Sequence, residues 1–396
     1  MTTPAANGEP LPHERRTILG LAGIYLLRLL GMYMVLPVLS LHASELEGHT
    51  PLLVGLSVGA YGLAQALLQI PFGVWSDRYG RRRVIAGGLL VFAAGSVVAA
   101  LADNALQLVI GRTLQGAGGV SAAVVALIAD VSRPSIRTRA MAALGVSVGV
   151  AFTIGMIAGP GLASRFGVPF LFWLTAVLSV LAAIYVVTMI PKPPRHVHDA
   201  SLEWTPGHLN EVLRHRPMLR LDAGAFLQHA QVTAMFVVGP GLLADFIPRA
   251  EHGKVYLVLV PVGLSVMLVS AFFADRWGRL KQAVMGGSVA LLGASAFLLA
   301  GGPTFWATAG AIGLTIVAVA TAEPAAPAML TRLANDQARG TAAGTYAMAQ
   351  FTGSFAGGLA GGLMLHQPIT LGVYLAVAST LWLIVAIGLP RLPAHQ

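Results

Sequence analysis

The chain has 396 residues, of which 56% are hydrophobic and only 10% are charged. A soluble domain carries about 25% charged residues, so this composition excludes an ordinary soluble protein and favours a surface that faces lipid. The formal net charge is +9, but the basic residues lie between long apolar runs, a pattern that orients membrane proteins rather than binding nucleic acid. The absence of cysteine excludes disulfides and cysteine-ligated metals.

Apolar runs near the ~20 residues that a bilayer requires recur along the whole chain. Backbone groups in lipid must pair within their own segment, so these runs predict helices and an all-α membrane protein. Residues 1–16 are polar, carry no cleavage signal and are predicted as a tail. The twelve predicted spans are 17–41, 52–72, 84–102, 105–129, 139–164, 167–190, 217–244, 252–274, 282–300, 304–329, 341–365 and 370–390.

Two similar turns divide the chain into related halves. GVWSDRYGRRRV at 73–84 follows the second span, and ADRWGRLK at 274–281 follows the eighth. Lys and Arg concentrate on the side of these turns, which predicts that both termini are cytoplasmic in a bacterial inner membrane. The predicted organisation is a cytoplasmic tail at 1–16, a six-helix bundle at 17–190, a cytoplasmic linker at 191–216, a second bundle at 217–390 and a short tail at 391–396. The linker is predicted to be a tether, and a short amphipathic helix near 205–214 on the membrane surface is the alternative.

The first turn resembles motif A of the major facilitator superfamily, G-x-L-A-D-R-x-G-R-K, and the second turn keeps part of it. LVIGRTLQGAGG at 108–119 is similar to motif B, and GMIAGP at 155–160 resembles the core of the antiporter motif C, although only Ala163-Ser164 follows as the small pair. The sequence also resembles the YajR-type branch of proton-coupled drug exporters, as in LRLLGMYMVLPVLSLH at 27–42 and EHGKVYL at 251–257. This resemblance covers about 17–390. It implies a monomer with a central cavity between spans 1, 4, 7 and 10, a small-molecule substrate, protons as the energy source and no cofactor.

Ionisable residues inside spans are costly and therefore mark functional candidates. Arg28, Arg112 and Glu323 lie in spans 1, 4 and 10, and His229 and Asp222 lie in span 7, so each predicted cavity helix carries charge. Glu323 is the first candidate to carry the proton, because alternating exposure would change how tightly a carboxylate holds it. His229 and Asp222 are further candidates, although His229 could simply bond across helices and Asp222 could be solvated. A static ion pair of Glu323 with Arg28 or Arg112, or binding of a cationic substrate, remains open.

The two arginines make the first half of the cavity positive. They could bind an anionic substrate group or tune the carboxylate, and Arg112 could instead tie helices together through backbone carbonyls or Gln115. Uncharged side chains suited to a mixed apolar substrate surround them, although ordinary packing would explain any single one. The predicted cavity residues are Arg28, Arg112, Tyr33, Tyr61, Gln65, Gln228, Gln231, Met235, Tyr346 and Gln350.

The resemblance also implies a latch at the first turn. Asp77 is expected to face the amino end of span 11 near Arg339, where the positive helix terminus favours a carboxylate. A charge link between Arg81 and Asp130 is expected beside it, while the other arginines of the turn set topology. The latch candidates are Gly73, Asp77, Arg78, Gly80, Arg81, Asp130, Asp275, Arg276, Gly278 and Arg279. Small residues in spans 5 and 11 are expected to let the halves approach closely, namely Gly155, Gly159, Pro160, Gly357 and Gly361.

These patterns predict a secondary transporter that exports drugs or other small amphipathic compounds against inward protons by alternating access. The sequence has no Walker-type loop, metal cluster or nucleophile triad that would support an enzyme. Two alternatives stay open. One is a proton symporter or facilitator for a small organic anion, which Arg28 and Arg112 suggest. The other is a membrane receptor or scaffold that does not transport.

Overall fold

The computed structural model describes residues 14–191, 206–335 and 338–394, together with all their side chains except those of 134–135, 137–138, 206–208 and 275. Helices dominate these residues, and their only extended pairing is an isolated bridge between Glu47 and Asn104. The first half contains α1 (Glu14–Ala43), α2 (Pro51–Tyr79), α3 (Arg81–Ala100), α4 (Ala105–Ala117), α5 (Ser121–Val131), α6 (Pro134–Phe166) and α7 (Val168–Met189). The rest contains α8 (Pro206–Arg214), α9 (Arg216–Ala244), α10 (His252–Arg276), α11 (Leu280–Ala300), α12 (Phe305–Leu333), α13 (Arg339–Leu363) and α14 (Pro368–Ile387).

Eleven segments of the described chain are long and apolar enough to cross a membrane, with α4 and α5 together forming one of them. The helix α13 completes the predicted twelve, because its 25 residues reach about 37 Å at 1.5 Å per residue. It is rich in glycine and packs between α9 of its own half and α2 of the other. The prediction of twelve helices in two six-helix halves is confirmed. The linker also contains the short helix α8, at the position of the amphipathic helix that we gave as the alternative to a simple tether.

Two helix boundaries differ from the predictions for identifiable reasons. The helix α1 begins inside the predicted tail, because Glu14 is buried and its carboxylate accepts a hydrogen bond from the Arg133 amide at 2.8 Å. Span 4 is broken between α4 and α5, where Gly118 packs on α3 so closely that a Cβ would lie 2.5 Å from the Gly88 oxygen. By contrast, α12 continues without a break through Pro324 and Pro327, although proline often interrupts a helix.

The two halves meet most closely between α2 and α13. We call the membrane face at which α1 begins and α14 ends the terminal face, and the other the opposite face. A Cβ on Gly358 would lie 2.6 Å from the Gly59 Cα and 2.7 Å from the Gly55 oxygen, so only glycine allows this contact. Gly55 and Gly59 lie toward the start of α2, and Gly358 toward the end of α13, so the contact is near the opposite face.

The small residues predicted to join the halves pack instead within their own half, which corrects that prediction. Gly155 and Gly159 of α6 abut Tyr33 and Met34 of α1, and Pro160 is buried beside them. Gly357 and Gly361 of α13 abut the α9 backbone around Ala230 and Ala234. These residues therefore hold each half together, while other faces of α2 and α13 form the contact between halves.

The halves separate toward the terminal face. A Cβ on Gly73 of α2, Gly145 of α6 or Gly344 of α13 would meet no atom within 4 Å, and all three residues lie in the terminal-face portions of their helices. At the opposite face, Arg249 forms an ion pair with Glu45 from the other half. The structure is therefore closed at the opposite face and open at the terminal face.

Each motif-A turn contains a glycine with a positive φ angle, 92° at Gly80 and 64° at Gly278. Residues with a side chain rarely adopt this conformation, which is why glycine is favoured there. Basic residues after these turns cap the last helix of each half. Arg82 donates to the Val186 carbonyl at the end of α7 at 3.2 Å, and Lys281 donates to the Ile387 carbonyl at the end of α14 at 2.6 Å. A cation is favoured at a helix carboxyl end, so Arg82 has a packing role beyond the topological role predicted for it.

Candidate functional site

Three side chains of the second half form a polar cluster. The Glu323 carboxylate on α12 accepts a hydrogen bond from Gln350 Nε2 on α13 at 3.1 Å, and its Oε2 lies 3.9 Å from His229 Nε2 on α9. The Glu323 side chain is 39% exposed and that of His229 is 24% exposed. Among the described residues, the carboxylate pairs with His229 and not with Arg28 or Arg112, which contradicts the static arginine pair.

The geometry of this cluster leaves a place for one proton. His229 Nδ1 lies 3.0 Å from the Ala225 carbonyl oxygen, which only accepts hydrogen bonds, so Nδ1 carries a hydrogen. The second ring nitrogen, Nε2, lies on the side of Glu323 Oε2, which is buried and has no hydrogen-bond partner among the described residues. A proton between these two atoms would join them once they close to the 2.6–3.2 Å of a hydrogen bond.

Tyrosines lie close to this cluster from both halves. The buried Tyr346 hydroxyl has no hydrogen-bond partner in the described part of the chain, and it lies close enough to Glu323 and Asp222 to interact electrostatically with both. Asp222 Oδ1 is likewise buried with no partner among the described residues. Tyr33 of α1 lies close enough to Glu323 and Arg28 to interact electrostatically with both. Residues of both halves therefore lie near Glu323, namely Asp222 and Tyr346 of the second half and Tyr33 and Arg28 of the first.

Arg28 is buried in the first half, with only 2% of the residue exposed. Its Nη1 donates to Ser121 Oγ and its Nη2 to Tyr61 Oη, both at 2.9 Å. The guanidinium carbon lies 5.4 Å from the centre of the Phe92 ring, a cation–π distance. Within the described residues, no carboxylate lies within salt-bridge distance of this charge.

Arg112 ties α4 to its neighbours, as its helix-tying interpretation expects. Its Nε donates to the Ser57 carbonyl of α2 at 3.1 Å, and its Nη1 donates to Gln115 Oε1 at 2.6 Å. Gln115 in turn donates to Ser96 Oγ of α3 at 2.7 Å. The guanidinium carbon lies 5.0 Å from the Tyr61 ring centre, so one tyrosine contacts both buried arginines.

Two residues that we predicted to line the cavity are instead buried within the second half. Gln231 Oε1 accepts a hydrogen bond from Ser379 Oγ of α14 at 2.5 Å, and Gln228 faces a small internal cavity beside α11 and α14. Their positions correct the prediction, because a span's sequence does not reveal which polar side faces the centre and which faces a neighbouring helix. Met235 and Gln65 are buried as well, as Arg28 and Tyr61 are, and their place in the cavity stays a prediction.

The first motif-A turn contains the predicted charge link. Arg81 Nε lies 2.9 Å from Asp130 Oδ2, and its Nη1 lies 2.6 Å from Asp77 Oδ1 and 2.7 Å from Ser76 Oγ. The Asp77 side chain is 36% exposed. Because the terminal face is open, the expected contact of Asp77 with the amino end of α13 belongs to the closed state and stays a prediction.

The second turn is arranged differently. Gly278 packs on the carboxy-terminal segment, since a Cβ there would lie 2.9 Å from the Ala394 amide. Arg276 is exposed, and the Arg279 guanidinium lies 5.7 Å from the Trp277 ring centre. In the first turn, Arg78 lies 5.5 Å from the ring of its neighbour Tyr79. The Asp275 side chain lies outside the described residues.

Asp77→Asn should lower turnover more than substrate binding. The substitution removes the charge that Arg81 balances and that the amino end of α13 would attract, so it destabilises the state closed at the terminal face. Transport rate and equilibrium binding should be measured on the same inserted protein. Asp103→Asn, an exposed carboxylate at the opposite face, is the matched control and should change neither. Equal losses of rate and binding at Asp77 would argue against the latch.

Twelve membrane helices in two halves around a polar centre define a secondary-transporter fold. The chain belongs to the Major Facilitator Superfamily, whose family profile matches residues 21–358. It is therefore a multi-pass membrane transporter and not an enzyme.

Similar proteins support this assignment. The chain is 38% identical over 333 residues to the inner membrane transport protein YajR of Escherichia coli (strain K12), covering 84% of this chain and 73% of that protein. It is 28% identical over 321 residues to the multidrug resistance protein MdtH of Aeromonas hydrophila, covering 80% of this chain and 79% of that protein. The fold is similar to a bacterial homologue of the human lysosomal transporter Spinster, solved in an inward-facing and unoccupied conformation. That match has a TM-score of 0.76 and 16% sequence identity, and it covers 95% of this chain and 97% of that structure.

Proposed function

We propose that this transporter exports small amphipathic organic compounds from the cytoplasm in exchange for protons, in a bacterial inner membrane. The observation that carries the proposal is the cluster of Glu323, His229 and Gln350. It places a carboxylate and an imidazole, with one proton site between them, in a partly exposed central position. Such a pair can take up and release a proton as its access changes from one face to the other.

The placement of basic residues supports an orientation with both termini in the cytoplasm. The turns at 73–84 and 274–281 lie on the terminal face and are rich in arginine, which favours the cytoplasmic side. In that orientation the open side of the structure faces the cytoplasm, where an exporter takes up its substrate. The names of YajR and MdtH, an inner membrane transport protein and a multidrug resistance protein, favour the same membrane and cargo.

The exchange can be tested with the purified chain in sealed liposomes under an imposed pH gradient. Three compounds that differ in charge would serve as cargo: ethidium, chloramphenicol and naphthalene-2-sulfonate. We expect at least one to accumulate against its gradient while a pH-sensitive dye records protons moving the opposite way. Accumulation with protons moving in the same direction would favour the symporter alternative. No gradient-driven movement of any of the three would contradict proton-coupled export.

A further inference from the structure

The break in span 4 leaves the amino end of a helix inside the membrane. The helix α5 has 11 residues, and its first backbone bond runs from the Val124 amide to the Val120 carbonyl at 3.0 Å. The amides of 120–123 have no acceptor among the described residues. Unpaired amides and the helix dipole make such an end locally positive. Ser121 and Ala122 are only partly buried, so this end is not fully covered by the surrounding helices.

The buried charge of Arg28 lies directly at this helix end. A guanidinium has five N–H donors, and two of them bond to Ser121 and Tyr61. Its Nε is buried and has no partner among the described residues, and no described carboxylate balances the charge. Burying a charge without an opposite charge beside it is costly, and the approach of an anion would offset that cost.

The hydroxyl groups beside Arg28 also have hydrogens to donate. Ser121 Oγ and Tyr61 Oη each accept a hydrogen bond from Arg28, and neither donates to any described group. The remaining N–H groups of Arg28, the two hydroxyls and the α5 amides are therefore donors that lack an acceptor among the described residues. Neighbouring donors with a net positive charge match an anion with several lone pairs, such as a carboxylate or sulfonate.

We propose that Arg28, Tyr61, Ser121 and the amino end of α5 bind the acidic group of the transported compound. The substrates are then amphipathic organic acids, whose apolar part lies in the central space. This inference rests on the proposed function, since it names the class of compound that the exporter carries. The acid subsite lies in the first half and the Glu323–His229 pair in the second, so the two can be tested separately.

Binding of matched acids and amides to the purified full-length protein at neutral pH tests the subsite. The probes are benzoate, 2-naphthoate and 3-phenylpropionate, each paired with its primary amide of nearly the same shape. We expect at least one acid to bind about tenfold more tightly than its amide, because a charge-assisted hydrogen bond exceeds a neutral one by that order. If no acid is preferred over its amide, the proposal is overturned.

Variants assign the preference to this cluster. Arg28→Gln should abolish the preference for the acid, while Arg83→Gln, which removes an equal charge from an exposed position, should retain it. If Arg28→Gln does not fold, Tyr61→Phe and Ser121→Ala decide, because each removes one donor and should reduce the preference about threefold. A preference that persists in Arg28→Gln, or in both hydroxyl variants, overturns the proposal.

The outcomes separate this subsite from proton exchange. Glu323→Gln should keep the preference for the acid while losing transport driven by the pH gradient. A preference for acids without gradient-driven transport would leave the subsite and remove the proposed exchange. Gradient-driven transport of ethidium without any preference for acids would leave the exchange and remove the subsite.

Discussion

Gly358→Leu is expected to drive the protein out of the state described above by opening the opposite face. A side chain at this position cannot fit, because even a Cβ would lie 2.6 Å from the Gly59 Cα. The neighbouring atoms are α2 backbone, which cannot rotate away as a side chain would. Overpacking of this kind costs about 1–3 kcal/mol, which shifts a two-state equilibrium about 5–150-fold.

The natural absence of cysteine makes this shift directly measurable. A single cysteine introduced as Val54→Cys would report it, because Val54 is fully buried near the start of α2. Labelling by a membrane-impermeant maleimide from the opposite face should rise when Gly358→Leu is added, by roughly the same 5–150-fold. Transport should fall at the same time, because the contact can no longer close.

Gly344→Leu is the matched control on the same helix. A Cβ at Gly344 meets no atom within 4 Å in this state, so the larger residue fits here and would resist only closure of the terminal face. Labelling at Val54→Cys should therefore stay the same or fall. Increased labelling in both variants would indicate general loosening of α13 and would contradict the contact between α2 and α13 as the gate.

The features that depend on the bilayer could be predicted from the sequence. Hydrocarbon thickness sets the length of each span and lipid forces backbone pairing, so all twelve helices were located. The cost of charge in lipid singled out Glu323, His229 and Arg28 before any contact was known. Each of these has polar contacts near the central region between the halves.

The facing of individual helices could not be predicted in the same way. Lipid and the protein interior are both apolar, so no contrast along a span distinguishes the central side from a neighbouring helix. This is why Gln231, bonded to Ser379, was assigned to the cavity. The true contact between halves did leave a signal that was missed, since Gly55 and Gly59 are four residues apart and Gly358 and Gly362 repeat that spacing.

Glu323→Gln should reduce transport driven by a pH gradient to background while retaining exchange of substrate at equal pH. The amide keeps the size of the carboxylate and can still bond to Gln350, but it cannot take up a proton. Asp222→Asn is the matched control, because this carboxylate is on the same helix as His229 but outside the pair. Loss of coupling in Asp222→Asn with coupling retained in Glu323→Gln would move the proton site to Asp222.

The proposed sharing of one proton by His229 and Glu323 makes a stronger prediction about combined substitutions. His229 Nε2 lies 3.9 Å from Glu323 Oε2, and Oε2 has no hydrogen-bond partner among the described residues, so in the proposed exchange the two side chains act on one proton as a unit. His229→Gln alone should therefore lower coupled transport about as much as Glu323→Gln, and the double variant should be no worse than either. Residues that act as a unit are non-additive in this way, whereas independent sites add. If the double variant lost the product of the two single losses, the histidine and the carboxylate would be carrying different protons, and the pair would not be the coupling site.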